Sequence, residues 1–248
     1  MNFRNSYRPS GFGGLPPVTL NLLIISVIMY VTTLMLHFGP GIDLNKYLAL
    51  HHHLAPDFKV YQFITHMFMH ASLNEFGKPE LMHIGLNMLG LFMFGPWLEA
   101  HWCPGRFLIF YLVCGLGATV PEYLMINAEV YKGLEAFNNM ALSAKTAVEQ
   151  AQLIESKYNY IESLNGIQML GASGALYGLL GGFGVLYPEV TLLLFFVIPM
   201  KAKWAVILFG AIELLSGYFL NDHVAHFAHL GGLAIGVILV LLWKRRSH

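Results

Sequence analysis

The chain has 248 residues, of which 56% are hydrophobic and only 11% charged, with a formal net charge of zero. Soluble globular domains carry about 25% charged residues, so the composition excludes an ordinary soluble domain and indicates a membrane protein. Neutral charge, with no basic patch interleaved with aromatics, excludes nucleic acid as a partner.

Apolar runs long enough to cross a bilayer, about 20 residues each, occur at 17–38, 81–98, 106–126, 167–187, 202–220 and 224–243. They predict an all-α membrane protein with six transmembrane helices. The expected division is a cytoplasmic N-terminal segment (1–16), one membrane domain (17–243) and a cytoplasmic basic tail (244–248). The first run follows the polar head MNFRNSYRPSGFGG and Pro16 and Pro17, and no small-residue cleavage site comes after it. A retained helix is therefore expected, not a signal peptide. An even number of spans puts both termini on one side. Lys244, Arg245 and Arg246 close to the last span make that side cytoplasmic. The same orientation places Arg4, Arg8, Arg106, Lys201 and Lys203 inside. It places Asp43, Asp57, Glu75, Glu80, Asp222 and the acids between 122 and 162 outside. With no transit peptide evident, the expected location is a bacterial cytoplasmic membrane. Cys103 falls in an inner turn and Cys114 within the third span, so both are expected as free thiols.

Two outer segments are long. In 39–80, Tyr61, Phe63, Ile64, Met67 and Phe68 would cover one side of a helix lying in the membrane interface. In 127–166, Leu134, Phe137, Ala141, Ala144, Val148, Ala151, Ile154, Tyr158 and Ile161 recur at spacings of three and four, which predicts an amphipathic outer helix. It would serve either packing on the membrane domain or substrate access.

Polar groups inside spans are costly and mark functional sites by default. His83 and Asn87 lie at i and i+4 on one face of the second span. Ser173 lies on the fourth span and His229 on the sixth, all near the outer ends. Gly171, Gly174, Gly178 and Gly181 on the fourth span, with Gly232 and Gly236 on the sixth, would let two backbones approach closely. A short serine side chain reaches a histidine on another helix only across such a contact. Taken alone, Ser173 fits small-residue packing with its hydroxyl bonded to its own helix. Together the four residues form a catalytic set: Ser173 as nucleophile, His229 as general base, and His83, Asn87 and the Ser173 backbone N–H as donors to a developing oxyanion. With no carboxylate expected beside His229, the arrangement is a dyad. The soluble-hydrolase elbow G-x-S-x-G is broken by Ala175.

These residues resemble the rhomboid intramembrane serine proteases. HIGLN at 83–87 fits the family's H-x-x-x-N on the second helix, GASG at 171–174 fits G-x-S-G on the fourth, and AHLGGLAIG at 228–236 fits A-H-x-x-G-x-x-x-G on the sixth. The resemblance, over about 60–243, implies a six-helix core and cleavage of other transmembrane proteins in or near their spanning helices, without a cofactor. It implies Ser173 and His229 as the catalytic pair, His83 and Asn87 as the oxyanion hole, and Tyr177 packed beside the histidine. Gly171, Gly174 and Gly232 support the pair. The 127–166 segment exceeds the connection in simple bacterial members. His70 resembles a polar position of the first loop and is read as structural.

Glu99 and Arg106 are expected to close the inner turn HWCPG as an ion pair. Glu213, within the fifth span, is expected either to pair with another buried polar group or to face water. Two competing functions are a non-proteolytic client-binding relative, which would lack the nucleophile or base, and a metal site. His223, His226 and His229 at i, i+3 and i+6, and His51 to His53, suggest the latter; His223 and His226, at an outer helix end, and the His51–His53 triplet, in a loop, are expected instead on solvated surface.

Overall fold

The computed structural model describes residues 14–74, 76–194, 197–220 and 224–245. In chain order they form α1 (Pro17–Phe38), α2 (Asn45–Leu48), β1 (Leu50–His51), α3 (Gln62–Thr65), α4 (Leu81–Trp102), α5 (Pro104–Ser143) and α6 (Ala147–Ser163). There follow β2 (Gln168–Met169), α7 (Ser173–Leu186), β3 (Thr191–Leu194), β4 (Ile198–Lys201), α8 (Ala202–Phe219) and α9 (His226–Arg245). The chain is thus mostly helical, with two small antiparallel ribbons.

Among the described residues five helices, α1, α4, α5, α8 and α9, are long and apolar enough to cross a membrane. The fourth expected span, 167–187, is shorter than expected: only the 14 residues of α7 are helical, about 21 Å of helix against about 30 Å of hydrocarbon. Residues 168 and 169 instead pair with β1, Leu50 opposite Met169. Gly171 takes a φ of 120°, and its N–H donates to the His66 carbonyl at 2.9 Å. Non-helical backbone is tolerated at membrane depth only where protein satisfies it. Here it is satisfied, because α7 is the most enclosed of the helices, with ten of its residues buried.

Two close approaches organise the bundle. A β-carbon on Gly232 would fall on the Gly174 carbonyl, and one on Gly236 would fall on the Gly178 carbonyl, so α9 lies with its backbone against α7. The glycines of α7 serve mainly its other neighbour. A β-carbon on Gly174 would stand 2.5 Å from Cβ of Ala118, and one on Gly178 would meet Cys114, both on α5. At the opposite end Glu99 is buried and caps α1, accepting from the N–H groups of Val18 (2.9 Å) and Thr19 (2.7 Å) and from the Thr19 hydroxyl (2.8 Å). An anion at a helix N-terminus satisfies donors that have no intrahelical acceptor. The expected Glu99–Arg106 pair does not form: the Arg106 guanidinium lies 4.1 Å from the ring centre of Trp243.

The same end gathers the cations expected inside. Tyr187 contacts His101 at 3.2 Å, and Lys244 donates to the Val185 carbonyl at 3.0 Å. Lys201 and Lys203 both pair with Glu189, whose carboxyl they hold well below the usual range, at about 2. Cys103 and Cys114 are free thiols. Arg4, Arg8, Glu75, Asp222, His223 and Arg246 lie outside the described residues.

Both segments expected outside differ from their sequence patterns. Within 39–80 only short helical pieces form, α2, α3 and a 3-10 turn at His66–Phe68, and the rest is loop apart from β1. Met67 is buried while Tyr61 and Ile64 are exposed, so the expected apolar side does not face one way, and the segment is pinned by the buried side chain of Gln62. That amide donates to the carbonyls of Tyr47 (3.2 Å) and Asp57 (2.9 Å) and accepts from the N–H of Lys59 (3.0 Å). Residues 127–166 are not one helix. Their first part continues α5 without a break to 40 residues, about 60 Å, twice the hydrocarbon thickness. The chain then reverses at Thr146, where a capping box with Glu149 starts α6. Phe137 packs on Tyr160 across the hairpin, whereas Val148, Ile154 and Tyr158 are exposed.

Two stability predictions follow from these contacts. Gly232→Ala forces α9 off α7 and destabilises the purified protein by about 1–3 kcal/mol, the usual cost of overpacking, read as a lower thermal midpoint in detergent. Glu99→Ala strands the α1 donors and costs about 3 kcal/mol, while Glu99→Gln, which keeps an acceptor, costs less. Equal midpoints for the two Glu99 variants would contradict the capping role.

Candidate active site

Ser173 is the first residue of α7, so its N–H and those just after it are among the donors that a helix N-terminus leaves without intrahelical acceptors. His229 lies one turn into α9, whose start is held by Glu122 of α5 accepting from the Ala228 N–H at 3.2 Å. The α7–α9 backbone contact brings Ser173 Oγ to 2.8 Å from His229 Nε2. Ser173 therefore bonds across helices and not back onto its own. Tyr177, one turn along α7, stacks on the imidazole with centroids 4.4 Å apart and planes within 10°. The rings leave that histidine little rotational freedom.

A third group was missed as part of this set. Nδ1 of His229 stands 3.0 Å from Oε2 of Glu213 on α8, within ion-pair range but off the line of a well-aligned N–H···O bond. His226 Nδ1 bonds the same oxygen at 2.5 Å, and the Tyr177 hydroxyl donates to Oε1. The expectation of a dyad without a nearby carboxylate is thus corrected, and the two alternatives left for Glu213 resolve to burial with polar partners. The available signal was its position: an acid inside an apolar span needs a partner, but helix spacing could not say which.

On the other side of Ser173 stands His83 of α4. Its Nδ1 accepts from the Ala71 N–H at 3.1 Å, which assigns the ring proton to Nε2. That donor faces Gly171: a β-carbon there would lie 3.1 Å from His83 Nε2 and 3.8 Å from Ser173 Oγ. Gly171 is held in a positive-φ conformation that L side chains rarely adopt, and its missing side chain leaves open the space between the serine and the histidine. Asn87 is buried with its amide nitrogen donating to the His83 carbonyl at 2.7 Å, and its Oδ1 has no partner. Its amide thus bonds back along its own helix, to the residue one turn before it.

The cleft beside Ser173 is lined by small residues, among them Gly171, Gly174, Ala175 and Ala228, together with His66. Burial holds His66 and His70 well below the ordinary imidazole range, each at about 4, so both are neutral near pH 7. His66 Nδ1 contacts the Gln62 carbonyl at 2.9 Å. His70 packs edge-on against His83 with centroids 5.5 Å apart, which fits a structural role. Of the His51–His53 run only His53 is the exposed surface that the sequence suggests. His51 and His52 are buried, bonded to the Lys46 carbonyl (2.9 Å) and to Asn127 (3.1 Å), and His53 bonds the Tyr123 hydroxyl at 2.9 Å.

A model of the rhomboid domain matches residues 57–246. Rhomboid-like protein 12, mitochondrial, of Arabidopsis thaliana is 28% identical over 172 residues, 69% of this chain and 44% of that protein. Rhomboid protein 1, mitochondrial, of Saccharomyces cerevisiae is 29% identical over 167 residues, 66% and 39% respectively. An uncharacterized mitochondrial rhomboid protein of Schizosaccharomyces pombe is 37% identical over 91 residues, 32% and 22%. The chain spans less than half the length of these curated relatives. Their mitochondrial names do not fit the bacterial membrane expected from the sequence. The matched model covers well over half of the chain and contains Ser173, Glu213 and His229, and on that ground the protein is a multi-pass membrane protein of the rhomboid family.

Proposed function

We propose that the protein is an intramembrane serine endopeptidase that cuts transmembrane proteins in or near their spanning helices. The observation that carries this reading is the 2.8 Å contact between Ser173 Oγ and His229 Nε2 at the N-terminus of an apolar helix. A serine hydroxyl is a weak nucleophile until a base within hydrogen-bond reach takes its proton.

In the proposed sequence Ser173 Oγ attacks the scissile carbonyl as its proton passes to His229 Nε2. Glu213 stabilises the imidazolium through Nδ1, the part a triad carboxylate plays. The oxyanion forms over Gly171, where the Nε2–H of His83 and the N–H groups at the start of α7 converge. Asn87 bonds the His83 carbonyl and supplies a second amide hydrogen. The imidazolium then protonates the leaving amine. Water repeats the attack on the acyl-enzyme, and Ser173 leaves as it arrived.

A membrane helix hides its carbonyls in its own hydrogen bonds, so a substrate must be unwound at the cut. The cleft beside Ser173 is small and lined by Gly and Ala, which favours small side chains there. The domain organisation proposed is a single membrane unit over 17–243 carrying the α5–α6 hairpin on the outer side. The end bearing Arg106, Lys201, Lys203, Lys244 and Arg245 faces inward by the positive-inside rule, and Ser173 opens toward the opposite side.

The test is cleavage of a single-pass membrane substrate by purified protein in detergent. Wild type cuts with or without a chelator, and Ser173→Ala and His229→Ala do not; cleavage by the Ser173→Ala protein at the wild-type rate would refute the proposal. Loss of the His83 donor by His83→Ala lowers kcat by about 10²–10³, as removal of an oxyanion donor does elsewhere. Glu213→Gln keeps the shape and removes the charge, and lowers kcat at least about tenfold with KM little changed. An undiminished kcat would reduce the site to a dyad.

A further inference from the structure

We propose that Glu213, His226 and His229 form a binding site for one divalent transition-metal ion, zinc in the first place, and that its occupancy silences the Ser173–His229 pair. Only the second half rests on the catalytic role proposed for His229; binding stands on the cluster alone.

The three residues come from two elements, Glu213 from α8 and the histidines from adjacent turns of α9. Their ligand atoms, a carboxylate oxygen and two imidazole nitrogens, all lie within 4.8 Å of one another. His226 Nδ1 and His229 Nδ1 stand 2.5 and 3.0 Å from Oε2 of Glu213. Tetrahedral zinc with bonds of about 2.1 Å needs donors about 3.4 Å apart, so modest adjustment would seat an ion among them. Two histidines and one glutamate are a familiar zinc donor set that leaves the fourth position to water. Two further features fit a ligand role. The Tyr177 hydroxyl holds Oε1 of the carboxylate, the outer-shell contact that orients a metal-binding group. Nδ1 of His229 is buried and makes no well-formed hydrogen bond, although it faces the carboxylate.

The consequence for chemistry follows from the imidazole ring. In a neutral histidine one nitrogen carries the proton and the other the lone pair. An ion on Nδ1 takes the lone pair there, so the ring proton sits on Nε2, the atom 2.8 Å from Ser173 Oγ. Nε2 then donates where the reaction needs it to accept, and it cannot take the serine proton. The ring stays neutral throughout; its proton changes nitrogen and none is lost.

The experiment separates binding from catalysis. The inactive Ser173→Ala chain, metal-free in detergent, is titrated with ZnCl2 and, separately, with CoCl2 while the visible absorption of tetrahedral cobalt is followed. The expected result is one ion per chain, with affinity at least about tenfold lower when His226→Ala or Glu213→Gln is added and unchanged when His53→Gln is added. In the active chain, zinc inhibits saturably and a chelator restores cleavage. The His226→Ala chain needs at least about tenfold more zinc for half-inhibition of its own metal-free rate. No binding by the Ser173→Ala chain, or equal affinity with His226 removed, overturns the proposal whether or not the wild type cleaves its substrate. Stoichiometric binding without inhibition overturns the silencing half.

Discussion

The backbone contact between α7 and α9 sets the distance on which the site depends. Ser173 has only one carbon between its backbone and its hydroxyl, so it reaches His229 Nε2 only because Gly232 and Gly236 let α9 lie against the α7 carbonyls. In lipid no hydrophobic force drives helices together, since the tails are as apolar as the side chains, and close van der Waals packing has to supply the attraction. The glycines that make the contact possible are therefore also what holds it. α5 closes the other flank, with Ala118 and Cys114 against Gly174 and Gly178. α7 is enclosed by protein, which is why a helix too short to cross the bilayer can stand at its centre.

Two buried glutamates meet the cost of a polar group in an apolar bundle in different ways. Glu99 gives its oxygens to the first N–H groups of α1 and to Thr19, turning a helix end that would otherwise be unsatisfied into a fixed joint between α1 and α4. Glu213 gives its oxygens to side chains, Tyr177 on one and the histidines of α9 on the other. Few residues of α8 are buried besides Glu213, and much of its surface, including Ile207, Leu215 and Phe219, is exposed. Its attachment to the centre of the bundle is correspondingly polar and local. That places a shared carboxylate where it bears on the tilt and tautomer of His229, and the same crowding of donors makes the cluster suited to an ion.

The loop between α1 and α4 acts as scaffold more than as surface. Gln62 ties 45–62 into a compact unit, His66 offers its carbonyl to Gly171, and the Ala71 N–H sets the tautomer of His83. The last two contacts reach from a segment without long helices to residues beside Ser173. With the β1–β2 pairing, the His66–Gly171 bond explains why 168–171 is not helical: its backbone finds partners in the loop that it would lack in lipid.

Composition and hydropathy alone determined that the chain belongs in a membrane and roughly where its helices run, because burial in hydrocarbon imposes a length and an apolarity that a single sequence displays. The spacing of His83 and Asn87, the glycine stripes, and the isolated polar residues Ser173 and His229 made the site legible, because such groups are too costly in lipid to be incidental. What helical periodicity could not express was partner choice between elements. It linked Glu99 to Arg106 when the carboxylate caps α1, left Glu213 without a partner, continued a helix back through 167–172 where a strand and a positive-φ glycine intervene, and drew 127–166 as one helix where the chain reverses at Thr146. It credited the glycines of α7 and α9 alike with their mutual approach, whereas Gly174 and Gly178 chiefly admit Ala118 and Cys114 of α5 and the closest contacts with α9 are at Gly232 and Gly236. Those outcomes depend on which backbone groups and side chains meet across the bundle, and only tertiary packing brings together residues as far apart in the chain as Ser173, Glu213 and His229.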